Sequence, residues 1–220
     1  MAIEYGSTST KDETGATSDT TLTWSHTCES DDNKLVVACG GRQSISGVTY
    51  NGVAMTLASS VNESYEYNAI YYLDNPATGS AHDIVVTYSS SSAYRMGVAC
   101  GIKNVLSGVG DTDADIYFYV ATTPVTATAS ITTTKNNAHA LTFYWENSVN
   151  SGSTTYESGQ TGVVKNTNAT SGFTVRYKLK ETAGAISSTI SNSTPFNVAV
   201  QLIEIQPSVG NPSAFFQFFN

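Results

Sequence analysis

Val48-Thr49-Tyr50-Asn51-Gly52-Val53-Ala54-Met55 sets an Asn-Gly pair between two runs of strand-forming residues. Both central residues of a type I′ turn need positive φ, which Asn and Gly tolerate best, so the stretch predicts a tight β-hairpin. Upstream, Lys34–Cys39 (KLVVAC) is a continuous apolar run, predicting a central strand covered on both faces. Before it, Leu22, Trp24 and His26 alternate with Thr23 and Ser25, as a half-buried strand does. Downstream, strands are predicted at Glu66–Leu73, His82–Ser89, Tyr94–Ile102, Ile116–Val120 and Val125–Thr133. The second half continues with Ala138–Glu146, Gln160–Lys165, Gly172–Lys180 and Phe196–Ile205. Asn75-Pro76-Ala77-Thr78-Gly79 supplies turn chemistry between two of these runs.

No window of a dozen residues carries a 3.6-residue apolar period. About a dozen short strands separated by Gly, Asn, Ser and Asp clusters predict an all-β, antiparallel, jelly-roll-like β-sandwich. Residues 1–19 are polar and read as a flexible N-terminal arm, 20–206 as a single sandwich domain, and 207–220 as an aromatic C-terminal tail. The Thr/Ala-rich stretch 121–134 is the one candidate internal boundary, and it reads as strand and loop.

The 220 residues carry a formal charge of −8, with 13% charged, 40% hydrophobic and 10% aromatic residues. Affinity for phosphate backbones needs basic patches, and none is visible, which argues against nucleic acid as a partner. No run reaches the 18 or so apolar residues of a membrane span. The opening Met-Ala-Ile-Glu-Tyr lacks the basic and apolar segments of a signal peptide, so an origin in the cytoplasm of a producing cell is expected. Cys28, Cys39 and Cys100 cannot all pair within one chain, and none forms a C-x-x-C motif. They read as buried reduced thiols, with a Cys39–Cys100 disulfide as the alternative.

Asp111, Asp113 and Asp115 form the one dense carboxylate cluster and are the candidate ligands for Ca²⁺. Ile116 stands where an EF-hand loop needs glycine, and Thr122 where it needs glutamate, so a solvated acidic loop is the competing reading. His26, His82 and His139 lack zinc-ligand spacing and read as strand-edge residues. Glu63, Glu66, Glu146 and Glu157 are the carboxylates from which a glycosidase pair would be drawn, and nothing favours any two of them. Tyr65, Tyr67, Tyr144, Trp145 and Tyr156 would supply stacking faces for sugar rings, although tyrosine is also simply a good strand residue. Phe215, Phe216, Phe218 and Phe219 crowd the last six residues, and burying each is worth roughly 1.5–3 kcal/mol. They predict a contact with a second copy of the chain, Gly210 and Pro212 detaching the tail from the last strand; folding back on the chain's own sandwich is the alternative.

Leu22–Thr27 (LTWSHT), Lys34–Val37 (KLVV), Val48–Thr56 (VTYNGVAMT), Tyr72–Gly79 (YLDNPATG), His82–Thr87 (HDIVVT) and Phe196–Ile205 (FNVAVQLIEI) together resemble a family of phage and bacterial-surface β-sandwich proteins. The resemblance spans roughly residues 18–206 and is most specific in its first half. It implies a jelly-roll-like sandwich used as a surface or virion structural module, and it brings no catalytic residues to transfer. A capsid decoration or other exterior virion protein, self-associating through its termini and contacting capsid protein, is the concrete expectation. The departures are Cys39 and Cys100, at positions where small apolar residues are usual, and the aromatic tail. A glycan-binding adhesion module on an extracellular surface is the alternative.

Overall fold

A computed structural model describes residues 1–14, 19–63, 66–91, 94–117, 125–147, 154–167, 171–193 and 197–208. They form seventeen strands and, among the described residues, no helix. In the first half these are β1 (Glu4–Thr14), β2 (Thr21–His26), β3 (Lys34–Gly41), β4 (Ile45–Tyr50), β5 (Val53–Ala54), β6 (Thr56–Glu63), β7 (Glu66–Asp74), β8 (His82–Tyr88) and β9 (Tyr94–Lys103). In the second they are β10 (Thr112–Tyr117), β11 (Val125–Thr133), β12 (Ala138–Asn147), β13 (Thr154–Tyr156), β14 (Thr161–Thr167), β15 (Ser171–Lys180), β16 (Gly184–Asn192) and β17 (Val198–Ile205).

Pairing in the first half is nested: β1 with β9, β2 with β8, β3 with β7, and β4 with β5. This is a long hairpin rolled on itself, the connectivity of a jelly roll. One sheet has the order β1-β9-β3-β7-β6 and the other β2-β8-β4-β5. The second half repeats the scheme as β10-β17-β12-β15-β14 and β11-β16-β13. The chain is thus all-β and antiparallel as predicted, but its strands close two jelly rolls in tandem, and the change from one to the other falls between Lys103 and Thr112 rather than at 121–134.

Three cores define four layers. Leu22, Val48, Ile84 and Val86 pack on Leu35, Val37 and Ala99 inside the first roll. Val125, Ala127, Ile190, Val200 and Leu202 fill the second. The two five-stranded sheets then lie face to face, burying Val36, Ala38, Ile70, Cys100 and Ile102 against Leu141, Phe143, Val175, Ile203 and Ile205. This seam is symmetric in kind: β6 lies on β10 as β14 lies on β1. Sheets covered on both faces need continuous apolar runs, which is why β3 and β17 are buried at every position.

Residues 4–14 were expected in a flexible arm and instead form β1, in register with β9 from Glu4↔Lys103 to Thr14↔Tyr94. Ser, Thr and Lys are tolerated there because β1 is a sheet edge with one face toward water. The Asn51-Gly52 turn is as predicted, with φ of 50° and 72°.

Candidate functional site

Register relates the two rolls residue by residue. Lys34 pairs with Asp74 and Ile102, and His139 with Leu179 and Ile205. On this basis the inward positions Val37, Cys39, Gly41, Ala69 and Tyr71 of the first roll correspond to Thr142, Tyr144, Glu146, Thr174 and Arg176 of the second. At these positions the first roll is apolar apart from the Tyr71 hydroxyl and the second is polar, beside its apolar core of Val125, Ile190, Val200 and Leu202.

That polar interior is a connected network. The Tyr144 hydroxyl donates to Gln160 Oε1 at 2.9 Å, and Gln160 Nε2 donates to Ser188 Oγ at 3.0 Å. Thr142 and Ser188 hydroxyls lie 2.9 Å apart. The buried Glu146 carboxylate accepts from Thr154 and, at 3.3 Å, from the Tyr156 hydroxyl, which also lies 3.2 Å from Thr174 Oγ1. The Arg176 guanidinium stacks 5.3 Å from the Tyr156 ring centre and donates to the Gln160 carbonyl at 3.0 Å. Burial raises the Tyr144 phenol and pushes that of Tyr156 up to about 12. Both remain hydroxyl donors at neutral pH. Glu146 is therefore held by two hydroxyl donors, both from β13, an arrangement that fixes a polar core.

Beside the network lies an open groove of about 690 Å³, lined by Glu157, Lys178, Lys180, Ala185, Ile186 and Ser187 among others. Its rim carries the 2.6 Å Lys178–Glu157 ion pair. Glu146 and Glu157, two of the glycosidase candidates, thus end in different settings, one buried and hydrogen-bonded inside and one ion-paired at the rim. Glu63 and Glu66 sit opposite each other at the β6–β7 turn, far along the other roll.

The three aspartates do not gather around a common point. On a strand, alternate side chains stand about 6.6–6.8 Å apart on one face, whereas calcium ligands lie within 2.6 Å of one ion. Asp115 Oδ2, Asp113 Oδ2 and Asp111 Oδ2 instead accept the backbone N–H groups of Thr128, Ser130 and Thr132 at 2.8, 2.7 and 2.8 Å. The carboxylates of β10 thus close the open edge of β11, correcting the calcium reading. Glu204, fully buried, continues the series by accepting from the N–H groups of Thr134 and Lys135. Among the described residues no group of three His, Cys, Asp or Glu side chains could hold a metal ion.

The stacking reading is corrected at two positions. Tyr144 is inside the second roll and Trp145 is in the seam, 1% and 4% exposed, because consecutive strand residues point to opposite faces of a sheet buried on both. Tyr156 is half-buried against Tyr144, ring centres 4.9 Å apart, and Tyr67 is half-buried in a small pocket with Ile45 and Leu57. Tyr65 and Phe215, Phe216, Phe218 and Phe219 lie outside the described residues. Cys39 and Cys100 face opposite sides of one sheet, so the disulfide alternative falls, and all three thiols are free and buried. Burial lowers His26 and His139 to about 4, so both are neutral near pH 7. Arg176 and Gln160 escaped the sequence reading; an isolated arginine inside a strand run is their one sequence signal. Compared with known protein families, curated proteins and solved structures, the chain matches none.

Proposed function

We propose that this chain is a non-enzymatic structural protein of a phage particle, a capsid decoration or other exterior virion protein that self-associates and contacts capsid protein. The observation that carries the reading is the fusion of two jelly rolls through a shared apolar seam, which makes one thick slab with two separate outer faces. Jelly rolls serve as viral shell and lectin modules, and a doubled one is suited to a lattice. The outer face of β11 and β16 supports this use. Thr126 and Thr128 pair with Ser191 and Thr189, hydroxyl to hydroxyl, each at 3.0 Å. The outward residues of these two strands are Thr, Ser and Ala, carry no charge and meet a neighbour without repulsion.

Both described chain ends leave at one place on the seam. Asn104 Nδ2 donates to the Ala2 carbonyl at 2.9 Å, and the Ser208 N–H donates to the Asn104 carbonyl at 2.8 Å. The aromatic tail thus starts from a single pole, which suits its use as a contact. Immunogold imaging of phage particles with an antibody to this chain tests the reading. Regular decoration of the particle surface is expected, and unlabelled particles from a lysate rich in the protein would overturn it.

Glycan binding is the second reading, favoured by a groove of about 440 Å³ whose lining includes Thr49, Asn51, His82 and Asp83. A glycan array with the purified chain discriminates the two: a defined set of bound sugars favours the adhesin.

A further inference from the structure

The two rolls differ by a missing piece. In the first, β4 pairs with β8 from Ile45↔Tyr88 to Tyr50↔Ile84, and β5 adds a fourth strand outside it. In the second, β13 pairs only with Ile190, Ser191 and Asn192 of β16, and among the described residues no fourth strand follows. Among the described residues, no strand pairs with β16 over residues 184–188 on that side. The Glu157 N–H donates to the Thr189 carbonyl, so Thr189 faces this edge. Strand alternation gives Ser187 and Ala185 the same orientation, each offering one N–H and one C=O. Both residues are exposed and both line the 690 Å³ groove. Leu179, 46% exposed, and the alkyl stems of Lys178 and Lys180 provide apolar surface there, and the Lys180 ammonium suits an aromatic face.

We infer that this groove receives an added β-strand, and that the strand is the segment Ala214–Asn220 of a second copy of the chain. The inference rests on the self-association proposed above and gives it a seat. Three observations choose the occupant. The tail is the one long aromatic segment outside the described residues, twelve residues beyond Ser208. Its Ser, Ala, Gln and Phe residues carry no side-chain charge, so it pairs at this edge without burying an ion. Direction selects the second copy: Gly184 pairs with Thr133, and the next residue, Thr134, accepts a hydrogen bond from Gln206, so β16 runs away from the pole where the tail begins. Both described partners of β16 are antiparallel to it, and an antiparallel addition enters from the opposite end. The chain's own tail would have to run the length of this edge on residues 209–213 and turn back, whereas a neighbour's tail enters it directly. Each copy then offers one tail and one groove, a head-to-tail contact that closes into rings or extends into a lattice.

The test uses the full chain with Ala185→Cys and Gln217→Cys, oxidised and run on a non-reducing gel, together with two assembly variants. One variant changes Phe215, Phe216, Phe218 and Phe219 to Ser; the other, Ser187→Pro, removes an edge N–H. The inference expects a ladder of disulfide-linked multimers from the double-cysteine chain. It also expects assemblies of the parent chain but monomers of each variant by light scattering, and dimers when the two variants are mixed. The mixture retains one good groove and one good tail, so the contact is made once and stops. A disulfide confined within single chains, or no disulfide while the chain still assembles, would overturn the inference. Should Ser187→Pro fail to fold, the cysteine ladder decides alone. Decorated particles with a negative cysteine result would sink the tail seat but leave the virion reading standing; a ladder with unlabelled particles would do the reverse.

Discussion

Lys34 and His139 hold the same position in the two rolls, and each lies against the tyrosine two residues before its cross-strand partner. Lys34 Nζ is 4.9 Å from the Tyr72 ring centre, and the His139 ring is 4.5 Å from that of Tyr177 with planes 8° apart. Lys34 is fully buried yet has Asp74 as an ion-pair partner, and burial still lowers its ammonium below the ordinary value. The equivalent of Asp74 in the second roll is Leu179, so a cation at 139 would have no such carboxylate. Tyr5 of β1 completes the stack instead, its hydroxyl 3.2 Å from His139 Nδ1. The seam tolerates a base there only while it is neutral.

A pH dependence follows. The pKa of His139 is about 4 when folded against about 6.5 unfolded, and that of His26 is lowered likewise. Between those values the unfolded chain binds more protons, so stability is complete above pH 6.5 and falls as pH drops toward 4. The loss is on the order of 2–3 kcal/mol per histidine. His139→Phe keeps the stacking and should flatten part of this decline in urea titrations at pH 7, 5.5 and 4. Identical pH profiles for variant and parent would show that His139 is not the group responsible.

At the Asn51-Gly52 hairpin, a Cβ on Gly52 meets nothing within 4 Å, so the cost of substitution is backbone strain alone. Gly52→Val forces a β-branched residue to φ near 72° and should cost about 1–3 kcal/mol. A melting temperature equal to the parent's would refute the turn assignment.

For the carboxylate series of β10, Asp113→Ala removes the acceptor of the exposed Ser130 N–H and should cost about 0.5–1.5 kcal/mol, whereas Asp113→Asn keeps an acceptor and should cost less. Calcium and EDTA should leave the melting curve of the parent chain unmoved. A rise in melting temperature with calcium would reinstate a metal site at these residues.

These cases show what a single sequence discloses. The Asn-Gly turn is legible because its cause is local: two adjacent residues set their own φ. D-x-D-x-D was ambiguous, since alternate carboxylates serve a cation loop and a strand edge equally, and the decision depends on β11 lying alongside. The Ser/Thr/Lys pattern of β1 resembled a disordered arm because an edge strand needs few apolar residues. The duplication was hidden because equivalent positions share only which way they face: KLVVAC in β3 answers to HALTFY in β12. The polar interior was hidden for the same reason, since Thr142, Glu146 and Arg176 become a network only when β12, β13 and β15 meet.

Ser59 and Gln201 offer a test of the duplication in the seam. Gln201 Nε2 donates to Ser59 Oγ at 3.2 Å, and the register-equivalent positions of the other roll hold Val98 and Val164. A buried polar pair and an apolar pair are both self-consistent, whereas a mixed pair orphans an amide. Ser59→Val should cost about 1–3 kcal/mol, and adding Gln201→Val should restore most of it. Additive losses in the double variant would show that the positions are not coupled.

The strongest consequence of the seam concerns the separability of the rolls. Each half has its own nested strand pairing and its own internal core, so each can form its hydrogen bonds without the other. Neither can hide its seam face alone. Val36, Ile70 and Ile102 on one side and Leu141, Phe143 and Ile203 on the other are at most 2% exposed, and uncovering each costs roughly 1.5–3 kcal/mol. A chain divided after Ser107, in the connection between β9 and β10, should therefore give two fragments that are unstable or self-associated apart. Refolded together, fragments 1–107 and 108–220 should form a one-to-one complex by native mass spectrometry, with β-rich circular dichroism close to that of the intact chain. Ile70→Asp in the first fragment should abolish the complex by placing a charge in the seam. Two fragments that fold as independent monomers and ignore one another would mean that the seam contributes little, and the slab would have to be regarded as two loosely joined modules.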